Sequence, residues 1–158
     1  MTSSSASATR DQVFISYSHA DRRWLDRLLQ HLRPLIREGH IQVFSDQNIE
    51  PGTVWRVQIQ AALDSTRVAI LLISPAFLAS DFIVDQELPP LLAGAASKGT
   101  TIIPVIVASS LFEMTPSLSR FQAANPPSRP LSSMRASEVD KVLANLARAV
   151  YQIISQGN

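Results

Sequence analysis

"VAILLIS", residues 68–74, is apolar at every position before its closing serine and shows no alternation of apolar with polar side chains. A strand with one wet face alternates; an unbroken β-branched run this short is the mark of a parallel strand covered on both faces. Three further runs share its character: "VFISY" (13–17), "IQVFS" (41–45) and "TIIPVIVA" (101–108). They begin at 13, 41, 68 and 101, spacings that each hold one strand–helix–strand unit.

Helical patterns fill the intervals. Trp24, Leu25, Leu28, Leu29, Leu32 and Leu35 repeat at three and four, with Arg22, Arg23, Arg27 and Arg33 mostly opposite. Pro34 is expected to kink or restart that helix, and Gly39 to cap it. Trp55, Ile59, Ala62 and Leu63 mark a shorter helix after the second strand. Val139, Val142, Leu143, Leu146, Val150, Ile153 and Ile154 form the stripe of a long final one. Residues 109–136, with Pro116, Pro126, Pro127 and Pro130, read mostly as loop, with a short fifth strand expected near "RPL" (129–131).

Alternating strands and helices predict an α/β three-layer sandwich with a four- or five-stranded parallel sheet, flavodoxin-like, in the order 2-1-3-4-5. Ligands of such sheets bind at the carboxyl ends of strands one and three. That places "SYSHAD" (16–21), Ser74 and the stretch "SDFIVDQELPPLL" (80–92) around one crevice.

Composition narrows the chemistry. The 158 residues suffice for one core, and 14 basic against 13 acidic side chains leave a net charge of +1. Neither a nucleic-acid-binding nor a membrane-binding surface is indicated. With no cysteine, disulfides, thiol catalysis and sulfur-ligated metals are excluded. His19, His31 and His40 lack metal-ligand spacing, so no metal site is expected. No apolar run reaches membrane-spanning length, and residues 1–10 read as a flexible lead-in without a signal core. A cytoplasmic domain is the expectation. The crevice carries neither G-x-G-x-x-G nor a Walker lysine loop. Serines stand where a phosphoreceiver domain would place acids.

The successive boxes "VFISYSHAD", "VFSDQNIEPGTVWRVQIQAAL", "VAILLISPAFLASDFIVDQEL" and "IIPVIV" resemble, in order and spacing, those of a Toll/interleukin-1 receptor (TIR) domain. The later "SRFQAANPPSRPLSSM" is similar to the tail of bacterial members. The resemblance covers residues 11–155, leaving 156–158 as a tail, and implies the same flavodoxin-like fold. Bacterial, plant and some animal members cleave NAD at its nicotinamide–ribose bond, whereas others only assemble as scaffolds.

The resemblance implies Glu87 as catalytic carboxylate and Ser16, Ser18, His19, Asp46, Ser74 and Phe82 as substrate-binding positions. NAD is then the substrate, and no separate cofactor is implied. Many NAD-cleaving members carry a tryptophan four residues before the glutamate; here that position is Ile83, with Phe82 adjacent. The loop 45–55, with Ile49, Pro51, Gly52 and Trp55, matches the family's assembly loop. It implies head-to-tail contact between copies, with a fused or partner sensor module and a role in bacterial immune or stress signalling. A non-catalytic scaffold and a nucleoside deoxyribosyltransferase-like enzyme, which also uses a crevice glutamate, are the alternatives.

Local sequence supplies a competing role for Glu87. Pro89 disfavours helical geometry at Leu88 and suits the first turn of a helix beginning there, where an acid complements the helix dipole. Asp81 and Asp85 are expected as cap and solvated face.

Overall fold

The computed structural model describes residues 11–45 and 61–156. Strands β1 (Gln12–Ser16), β2 (Gln42–Phe44), β3 (Thr66–Ile73) and β4 (Thr101–Ile106) form a parallel sheet in the order β2-β1-β3-β4. The long helices are α1 (Arg22–Arg37), α2 (Leu88–Ser97) and α3 (Ala136–Gln156).

Alternation along the strands separates two cores. Val13, Ile15, Val68, Ile70, Leu72 and Val105 pack with Leu25, Leu28 and Leu32 of α1 and Leu143, Leu146 and Val150 of α3. Phe14, Ala69, Leu71, Ile73 and Ile106 face the other way, against Phe77, Ile83, Leu88 and Leu91. Covered on both faces, β3 is buried along almost its whole length, which is why its sequence does not alternate.

Two sequence expectations are corrected here. Helix α1 runs through Pro34 as one element and does not restart there. The carbonyl four residues back, which the proline cannot serve, is that of Gln30, an exposed residue open to water. The helix then ends at Glu38 with Gly39 at φ 78°, Gly39 N donating to Ile36 O and His40 N to Leu35 O, a complete Schellman closure.

The second correction is the fifth strand. Among the described residues the sheet has four strands, and Leu131–Ser133 form a 3-10 turn. The outer edge of β4 is closed by loop groups instead. Ala124 N donates to Pro104 O, and Ser132 N donates to Val107 O just beyond the strand. The buried Asn125 side chain accepts from Ile106 N at 3.0 Å and donates to Ile106 O at 2.9 Å. One amide side chain thus performs the pairing of one strand residue.

No helix among the described residues is long and apolar enough to cross a membrane.

Candidate active site

Strands β1 and β3 are neighbours in the sheet, and their carboxyl ends bring Ser16 and Ser74 to one edge. Both side chains are buried, at 1% and 2% exposure, and buried hydroxyls must be bonded. Each finds a carboxylate that follows the other strand. Ser16 Oγ donates to Glu87 Oε1 at 2.5 Å, and Ser74 Oγ donates to Asp21 Oδ2 at 2.5 Å. These lengths are those of hydroxyl-to-carboxylate bonds, among the stronger neutral-to-charged contacts. The two couples cross the crevice reciprocally. The acid after β3 is held by the end of β1, and the acid after β1 by the end of β3.

Glu87 reaches this place from an unusual turn. After Ser80, whose Oγ accepts from Ile83 N, the chain is helical from 81 and widens into a π-helical turn over Ile83–Glu87 before α2 begins. Leu88 N donates to Ile83 O, five residues back. The expectation of a helix starting at Leu88 is therefore corrected, because the chain is already helical from 81, eight residues before Pro89. Glu87 occupies the position preceding α2 but makes no side-chain cap there, and it is 1% exposed. An acid that only complemented the helix dipole would lie in solvent. Asp81 and Asp85 do lie there, and the cap is Ser80.

The remaining expected positions divide. Ser18 caps the short 3-10 turn His19–Asp21, accepting from Ala20 N at 3.3 Å. His19 is exposed, its ring 5.7 Å from that of Tyr17. Ser74 also accepts from Phe77 N, so its hydroxyl serves as cap and tether at once. Phe82 is half-buried against the second core, while Ile83 is 2% exposed and belongs to that core. Asp46, Ile49, Pro51, Gly52 and Trp55 lie outside the described residues.

Asp21 is the residue that sequence reasoning missed as an individual. Its position before α1 reads as an ordinary N-cap, yet its side chain makes no capping bond and turns to Ser74. Only the fold places the two together.

A described groove of about 400 Å³ runs between β4 and α3, past Ile102, Ala123, Val142, Leu146 and Ile153. Among the described residues its lining has no titratable side chain. Among the described residues no group of three or more His, Asp or Glu side chains is arranged to hold a metal.

Comparison with known proteins agrees with the fold. A family model described as "TIR domain" matches residues 13–142. A protein of Sinorhizobium fredii, the uncharacterized y4lF, is 28% identical over 138 residues. The match takes in 87% of this chain but only 42% of that relative's length. The TIR domain of the Toll-related receptor TRR-2 from Hydra magnipapillata superposes with a TM-score of 0.55 at 23% identity, covering 90% of this chain and 98% of the other. The TIR domains of the activated Roq1 resistosome, which recognises the pathogen effector XopQ, give 0.55 at 18%, covering 91% and 83%. At these identities the two structures establish the fold alone.

Proposed function

The chain belongs to the TIR domain family, and from that membership we propose that it cleaves NAD at the nicotinamide–ribose bond, with Glu87 as its catalytic carboxylate. One observation carries the reading. A buried carboxylate, held by a buried serine, stands at the strand edge where α/β sheets bind ligands.

The chemistry suits a single acid. Glycosidases ordinarily need a second carboxyl group to protonate the departing oxygen. The nicotinamide of NAD is already cationic and departs neutral, taking the bonding electron pair. The ribosyl centre left behind resembles an oxocarbenium ion, which a fixed carboxylate stabilises. In a site shielded from water that attraction is stronger than in solution.

The same burial sets a condition. At 1% exposure Glu87 cannot touch ribose until the residues over it move. We assign that opening to homotypic assembly through the 45–55 loop, so the isolated domain is nearly silent when dilute. Coupling such a step to infection or stress gives the chain the role of a signal-generating effector.

The test is NAD turnover per molecule across a wide range of protein concentrations, for the wild type and Glu87→Gln. The amide keeps the size of the side chain and an oxygen that can accept from Ser16, but lacks the charge. Turnover should rise with concentration in the wild type and fall roughly a hundredfold or more in the variant, with an unchanged melting temperature. Full activity in Glu87→Gln would move the chemistry elsewhere, and a wild type that never consumes NAD would leave a scaffold.

A further inference from the structure

We propose that Pro89 and Pro90 are positioning residues for Glu87, acting by holding open the π-helical turn that aims its carboxylate at Ser16. This rests on the reading of Glu87 as the catalytic group.

The argument starts from what two successive prolines do to the turn before them. In an α-helix, Asp85 and Gln86 would offer their carbonyls to the nitrogens of residues 89 and 90. Neither proline has a hydrogen to donate, and each ring clashes with the carbonyl four residues back. Widening the turn relieves both clashes by moving those carbonyls aside. The bond from Leu88 N to Ile83 O records that widening. Val84, Asp85 and Gln86 are all exposed, so carbonyls left without a backbone donor are open to water.

The widened turn changes which side chains share a face. An α-helix advances about 100° per residue, so positions five apart stand about 140° apart around the axis. In a turn closed by i→i+5 bonds, positions five apart come onto one face. Phe82 and Glu87 are such a pair. Ile83 is directed into the second core and Glu87 into the crevice against Ser16. Were the turn to tighten to α geometry with Phe82 and Ile83 held by the core, Glu87 would swing out of line with Ser16. π-helical turns inside α-helices behave as one-residue expansions and recur at functional sites. Here the expansion has its cause in the adjacent sequence, and its effect is to turn the acid inward.

The experiment replaces both prolines by alanine, in the full chain, and reads Glu87 directly. Pro89 is exposed and Pro90 half-buried, so neither change opens the core. The Glu87 side-chain carboxyl carbon is assigned by its loss in Glu87→Gln and followed by NMR from pH 3 to 8. In Pro89→Ala/Pro90→Ala its resonance should move, because the Ser16 hydroxyl no longer meets the carboxylate. NAD turnover should drop roughly a hundredfold, the scale of a misplaced catalytic group.

Deleting Val84, which is 43% exposed, from the alanine variant leaves Phe82 and the glutamate four apart, the spacing an α-helix needs to keep them on one face. That deletion should return both the resonance and most of the turnover. A merely structural role for the prolines offers no reason for a deletion to restore anything. Should the double variant not fold, Pro89→Ala alone is read the same way. An unmoved Glu87 resonance in the folded proline variant overturns the proposal, whatever the NAD assay gives. A moved resonance in a protein that never cleaves NAD upholds the positioning and removes the chemistry.

Discussion

Asn125 illustrates how one side chain is tied to one task. Its oxygen accepts from Ile106 N, and its nitrogen donates to Ile106 O and to Arg129 O at 2.9 Å. Asn125→Asp preserves the shape but sets an acceptor against two carbonyl oxygens. The variant should lose roughly 2–4 kcal/mol of stability, since buried groups lose their partners at once. Urea unfolding at neutral pH measures it; a shift of only a few tenths would show the edge of β4 closed without this residue. In sequence, Asn125 is one polar residue before two prolines and reads as turn. Glu87 was legible as a position through family resemblance. Ser16 was expected at the same crevice, but its bond to Glu87 was not legible, because the two lie 71 residues apart and only the fold brings them into contact.

Elements were the most readable scale. The apolar runs predict four strands, and the three-and-four repeats predict α1 and α3, each found within a few residues of expectation. Their ends follow local chemistry as well. Gly39 closes α1 at φ 78°, and a Cβ built there meets nothing within 4 Å, so a substitution acts through backbone conformation alone. Gly39→Ala should cost about 1–2 kcal/mol for the left-handed geometry, and Gly39→Asn less, since asparagine visits that region more readily. Denaturant midpoints for the pair give the comparison; equal losses would point to some contact rather than conformation. The stretch 80–92 was the element that misled. Its prolines read as a helix start, whereas they bound a widened turn in a helix already under way.

At the scale of the whole molecule, α1 and α3 are pinned across one face of the sheet. Asp140 of α3 accepts from His31 Nε2 at 3.0 Å and pairs with Arg27 at 3.2 Å, both on α1. The His31 hydrogen bond, the largest influence, is opposed by desolvation, but with the Arg27 hydrogen bond and charge it holds the Asp140 carboxyl below its ordinary range. A depressed folded-state pKa means that the contribution is complete above the unfolded value of about 3.9. It is lost as pH falls through the lower folded value. Asp140 is exposed, so the effect is modest. Asp140→Asn should therefore melt below the wild type near pH 7, with the gap closing below about pH 4. Melting curves from pH 7 to 3 provide the check, and a gap that persists into acid would mean packing rather than charge.

Sequence by itself determined the layers, because periodicity, β-branching and glycine act within a few residues of chain; the strand order was expected from that fold class, and the acid's position from the family resemblance. The assignment of each carboxylate to its serine, the closing of β4 by a side chain in place of a fifth strand, and the inward turn of Glu87 were decided only by tertiary structure. Each depends on groups apart in sequence that only the folded sheet and its loops bring into contact. The double proline stands between the two cases. Its steric demand is written in the sequence, but whether that demand starts a helix or widens one depends on whether the preceding turn is already packed against the core.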